Sequence, residues 1–124
     1  MKEKKTNSLN IVYLYTSPCF KNKMKSTNAH LVKIWMNQAG QIQSVNVTSE
    51  ASNDLQKFQL DLVNEEFNEL LDAFWEDDRT HIIKESLDLI WVTYGLLHLM
   101  GVDVDEAFGR LYASNQSKLP FTYK

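Results

Sequence analysis

Two short acidic patterns carry the chemistry of this sequence: Glu66-Phe-Asn-Glu69 is an E-x-x-E, and Glu85-Ser-Leu-Asp88 is an E-x-x-D. On a helix, residues three apart share a face, so each pattern aims two carboxylates in one direction. Carboxylates that converge in an apolar setting repel one another, and burying one of them uncompensated is costly. A cation resolves both problems, and hard oxygen ligands of this kind select Mg²⁺, with Mn²⁺ the near substitute. Because Mg²⁺ commonly takes phosphate oxygens as further ligands, such a site points to a phosphate-bearing substrate.

The elements that must position these acids can be read from periodicity. Only 4 Gly and 2 Pro occur in 124 residues, which favours long helices and an all-α fold. A helix is expected from about Asn28 to Ala39, stopped by Gly40, followed by a loop over 41–52. A second is expected over Asn53 to Trp75, with Ser52 or Asn53 as its N-cap. At 100° per residue, Leu55, Phe58, Leu62, Glu66, Glu69 and Ala73 fall within about 80° of one another. Leu60, Val63, Phe67, Leu70, Leu71 and Phe74 form a neighbouring apolar arc, and Lys57, Asp61, Asn64, Asn68 and Asp72 form the wet face. The two glutamates therefore continue an apolar stripe, whereas solvated surface acids belong on the wet face.

The connection Glu76-Asp77-Asp78-Arg79 is so short that the next helix must be an antiparallel neighbour. That third helix is expected over Thr80 to Met100, closed by Gly101. It places His81, Glu85, Asp88, Val92, Leu96 and Leu99 on one face. From Leu87 onward it is apolar nearly all round and should be the central helix. A fourth starts at the capping box Asp103-Val-Asp-Glu106 and runs to about Ser114. Residues 1–26 read as an N-terminal arm with a strand-like Ile11-Val-Tyr-Leu-Tyr15, and 27–124 as the helical domain.

Competing chemistries fit less well. A di-iron carboxylate bundle needs Glu-x-x-His pairs, and no Glu here is followed by His at that spacing. Asp103-Val-Asp105 lacks the glycine and the terminal glutamate of an EF-hand. The net charge of −3 gives no footprint for nucleic acid. The single cysteine, Cys19, makes no internal disulfide, which suits a reducing, cytoplasmic setting. The longest apolar run, Leu87 to Val102, is shorter than a membrane span of roughly 20 residues.

The ordered set Glu65-Glu66-Phe-Asn-Glu69, then Glu85-Ser-Leu-Asp88, resembles the all-α nucleoside triphosphate pyrophosphohydrolases. More narrowly it is similar to the MazG-like and phosphoribosyl-ATP pyrophosphohydrolase-like proteins. Ala39-Gly40-Gln41, Trp91-Val-Thr-Tyr-Gly95 and Ser114-Asn-Gln-Ser-Lys-Leu119 extend the likeness over about residues 30–120. The resemblance implies a bundle of four main helices with Mg²⁺ between the second and third. It implies cleavage of a nucleoside triphosphate between the α and β phosphates, giving a monophosphate and pyrophosphate. By motif position, Glu66, Glu69, Glu85 and Asp88 would bind metal, Glu65 would activate the attacking water, and Asn115 and Lys118 would reach the phosphates. A homodimer or homotetramer is also implied.

Three positions depart from the family pattern. Gln116 stands where methionine is frequent and Tyr112 where histidine is. The stretch Leu55-Gln-Lys-Phe-Gln59 lacks the usual arginine, for which Gln59 is a weak substitute. Lys84 reads as a solvated neighbour of Glu85, His98 as a core or interface histidine, and Trp75, Trp91 and Tyr94 as packing residues. Four small-molecule classes stay open as substrate: ordinary triphosphates, dUTP or dCTP, damaged nucleotides and phosphoribosyl-ATP. A house-cleaning role in the nucleotide pool is favoured over histidine synthesis, and a non-catalytic nucleotide-binding module of the same fold is the alternative. Removing the five motif acids from 16 leaves 11 against 13 basic residues, so the acidity of the chain is largely that of its site.

Overall fold

A computed structural model describes residues 26–45 and 49–120. They form four helices: α1 (Asn28–Gln38), α2 (Asn53–Trp75), α3 (Arg79–Leu99) and α4 (Val104–Gln116). The expected all-α, four-helix architecture is therefore what the chain adopts, and no strand occurs among the described residues, only a single bridge between Glu50 and Met100. The strand-like arm of the sequence reading lies outside the described residues.

Each helix begins at a side-chain cap. Thr27, Ser52, Asp78 and Asp103 accept from the main-chain N–H of His30, Leu55, His81 and Glu106 respectively. These bonds satisfy donors that have no partner within the first turn. At Asp103 only half of the anticipated capping box is visible, because the Glu106 carboxylate accepts from Arg110 at 2.7 Å. Gly40 and Gly101 close α1 and α3 with φ of 76° and 74°, the left-handed conformation that a Cβ disfavours. Between α2 and α3, Asp77 takes φ 54° and reverses the chain within three residues.

The central position expected for α3 is observed: it packs against each of the other three helices, most extensively against α2. Val32, Met36 and Leu99 form the core, with Ile42, Ala51 and Tyr94 packed on them. His98 is buried beside them, and its Nε2 donates to the carbonyl of Ala29 at 2.7 Å. Burial holds this imidazole below its usual range, partly countered by the bond to Ala29.

The core is thus gathered where α1 crosses α3. Along α2 much of the apolar arc stays open: Leu60, Phe67, Leu71 and Phe74 are exposed, as are Leu55 and Phe58 at the start of the acid-bearing stripe and Trp75 at the helix end. Of the aromatic residues expected to pack, Tyr94 joins the core and Trp91 meets Trp35 edge-on at 5.8 Å, whereas Trp75 is 86% exposed. No helix among the described residues is long and apolar enough to cross a membrane.

Candidate metal centre

The α2–α3 hairpin turns the two acidic patterns toward each other. Carboxylate oxygens of Glu66, Glu85 and Asp88 lie within 4.8 Å of one another, and all three residues are half-buried. Glu69, one turn further along α2, is also half-buried and abuts Glu85. The inward face deduced from periodicity is the face that the acids occupy.

Two of these oxygens, Glu66 Oε2 and Glu85 Oε2, are buried and face no hydrogen-bond donor. Ionised carboxylates only accept, so the acids can bond to one another only by sharing a proton. The Glu66 carboxyl is accordingly pushed up to about 8, first by burial and then by the charge of Glu69, with Glu85 and Asp88 adding to it. Glu69 is raised as well, by burial and by Glu85. Orphaned acceptors, mutual repulsion and an all-oxygen donor set fit a hard divalent cation.

Lys84 supplies a partial counter-charge. Its Nζ lies 2.8 Å from Asp88 Oδ2 and 3.7 Å from Glu85 Oε1. This replaces the expectation of a merely solvated lysine; the spacing of four between Lys84 and Asp88 was the available signal. His81 lies in the first turn of α3, its main-chain N–H and Nδ1 both facing the capping carboxylate of Asp78, and it takes no part in the acid cluster.

The remaining candidates are placed differently. Glu65 is exposed and outside the converging trio. Asn115, in the last turn of α4, and Lys118, just past its end, are exposed and joined to each other through the Lys118 N–H and the Asn115 carbonyl. Within the described chain α4 makes no contact with α2. Gln59 is turned inward, its Nε2 donating to the carbonyl of Val92 at 2.9 Å. It is therefore spent on α3, in keeping with its reading as only a weak substitute for the missing arginine.

The family model for phosphoribosyl-ATP pyrophosphohydrolase matches residues 41–115. The chain belongs to this family. It thereby falls within the MazG-like all-α NTP pyrophosphohydrolase superfamily, as the acidic motifs led us to expect. No curated protein and no solved structure matches the chain. The matched span takes in α2, α3 and nearly all of α4, including every acid of the cluster and Asn115; α1 and Lys118 lie outside it. The family performs pyrophosphohydrolysis and is generally dependent on divalent metal.

The raised carboxyls have a measurable consequence in metal-free protein. Glu66 titrates at 4.5 when unfolded and at about 8 when folded, so between those values the folded state holds more protons. Stability is then full below pH 4.5 and is lost as pH rises toward 8, and Glu69 acts in the same direction. His98 acts oppositely: its folded value lies below 6.5, so its contribution is present above 6.5 and is lost at lower pH. The clean window is therefore pH 6.5 to 8. Melting temperature without metal is expected to fall across it, and a divalent cation is expected to raise that temperature most at pH 8. A metal-free melting temperature that climbs between pH 6.5 and 8 contradicts this electrostatic account.

Proposed function

We propose that the protein is a Mg²⁺-dependent nucleoside triphosphate pyrophosphohydrolase that cleaves the α–β anhydride and serves nucleotide-pool house-cleaning. The observation that carries the reading is the convergence of Glu66, Glu85 and Asp88 with orphaned buried oxygens, in a chain of a pyrophosphohydrolase family. Glu66, Glu69, Glu85 and Asp88 would hold the cation. When bound, the ion neutralises polyphosphate charge and acidifies water.

The protein's own groups do the rest. Glu65 is exposed on α2 next to the cluster, where its carboxylate can accept the proton of the attacking water. The water oxygen bonds to phosphorus, the bridging P–O bond breaks, and pyrophosphate leaves as the monophosphate is formed. Lys118 offers a point charge and Asn115 a neutral hydrogen bond to phosphate oxygens. The reaction needs no covalent nucleophile.

We also take the protein to be a homodimer or homotetramer. Leu60, Phe67, Leu71 and Phe74 form an exposed apolar arc on α2 that a lone small domain does not ordinarily leave uncovered. Static light scattering should therefore report a multiple of 14.4 kDa, and a monomer at micromolar concentration removes the assembly from the reading. The cytoplasm, where nucleotide pools are held, is the matching compartment.

The deciding experiment is pyrophosphate release from a panel of ordinary, deoxy, damaged and phosphoribosyl nucleotides with Mg²⁺. Release of pyrophosphate with a monophosphate is expected for at least one triphosphate, abolished by chelation. Metal binding without product from any nucleotide would instead favour a non-catalytic binding module.

A further inference from the structure

The register of α2 against α3 brings Glu66 opposite Glu85 and Asp88. Along the same interface lies a polar contact that the acidic motifs do not account for. Gln59 is 8% exposed, and its Nε2 donates to the carbonyl of Val92, 33 residues away in sequence, at 2.9 Å. Its amide rests on Gly95: a Cβ there would stand 2.6 Å from Gln59 Nε2 and 3.3 Å from Cδ. Glycine is therefore what lets this side chain lie directly on the backbone of α3. The carbonyl of Val92 has two lone pairs, so it can take the amide in addition to its own helical bond.

The spacing ties this contact to the acids. Seven residues separate Gln59 from Glu66 on α2; on α3, seven separate Val92 from Glu85 and seven separate Gly95 from Asp88. Seven residues are about two turns, roughly 10.5 Å of helix. The same antiparallel match thus occurs twice, once as amide on carbonyl and glycine, once as carboxylate on two carboxylates. Purely apolar contacts tolerate sliding, whereas a buried directional bond is satisfied in one register only. It also acts where it is needed, since the facing acids push α2 and α3 apart until a cation joins them.

We propose that Gln59, seated on Gly95 and bonded to the Val92 carbonyl, is a positioning residue that sets the register and approach of α2 on α3 and so aligns Glu66 with Glu85 and Asp88. The proposal rests on the metal-site reading above.

The test is Mn²⁺ affinity of the full chain, measured by the loss of the free-ion paramagnetic resonance signal, with circular dichroism confirming that each variant is helical. Gln59→Leu removes the bond while keeping bulk, and Gly95→Ala displaces the amide while keeping Gln59 in the sequence. Each is expected to weaken Mn²⁺ binding by about tenfold or more, the scale seen when groups that orient metal ligands are lost. Val32→Ala, in the core on the α1 side of α3, is the control for stability: it lowers the melting temperature and leaves Mn²⁺ affinity within about twofold. If either helical variant binds Mn²⁺ as the parent does, the contact merely joins two helices and the proposal is overturned. Failure of the site itself is distinct: Glu66→Gln then binds Mn²⁺ like the parent, or the parent binds none.

Discussion

Glu66→Gln should abolish pyrophosphate release while making the metal-free protein more stable. The amide has nearly the shape of the carboxyl but carries no charge and cannot replace it as a hard anionic ligand. Loss of about 10³-fold in turnover is expected, the order found when one charged or hydrogen-bonding group aimed at a transition state is removed. Stability should move the other way. In the parent, ionised Glu66 is opposed by burial and by Glu69, Glu85 and Asp88, so above pH 4.5 it weakens the metal-free fold progressively until about pH 8. An uncharged side chain feels none of this. The variant's advantage in melting temperature should be greatest at pH 8 and above and vanish below pH 4.5, where the parent carboxyl is neutral in both states. Turnover at the parent's rate in Glu66→Gln or Glu69→Gln, under saturating Mg²⁺, sinks the assignment of the site. A variant that is less stable than the parent at pH 8 shows that the cluster is not under the strain described.

Met36→Ala should cost about 2–5 kcal/mol of folding stability, measured by urea denaturation. Met36 is 2% exposed and the largest fully buried side chain among the described residues. It joins Val32 to Leu99, and its sulfur would lie 3.6 Å from a Cβ on Gly95. Truncation leaves a cavity at the crossing of α1 and α3, where the limited core of the chain is gathered. Total stability of a domain this size is about 5–15 kcal/mol, so the loss is a large share of it. With the apolar arc of α2 exposed in the single chain, little other burial compensates. A change below about 0.5 kcal/mol, the level of an ordinary surface substitution, places the stabilising core elsewhere.

The helices and their facing acids were legible because they depend on short-range rules. Ser52 and Asp103 announce helix starts, Gly40 and Gly101 announce stops, and spacing of three or four assigns Glu66, Glu69, Glu85 and Asp88 to inward faces. The brief α2–α3 connection then leaves antiparallel pairing as the natural outcome. The bond of Gln59 to α3 was missed for the opposite reason. Reading forward from its neighbours, Gln59 is one more polar residue ahead of the motif. Its place seven before Glu66, on the same helix face, was the signal that it points at α3. Lys84 was likewise legible as the residue four before Asp88, once solvation was set aside for pairing.

Sequence alone, then, determined the four helices, the caps at Ser52 and Asp103, the direction of the acidic faces and the family to which they belong. Only the tertiary structure decided that Gln59 bonds to Val92 over Gly95 and that α4, with Asn115, makes no contact with α2. It also decided that Glu66 Oε2 and Glu85 Oε2 are buried without a donor. The division has a physical basis. Caps and periodicity are set by neighbours a few residues apart. Register, desolvation and the charge felt by Glu66 are sums over groups that become neighbours only when the chain has folded.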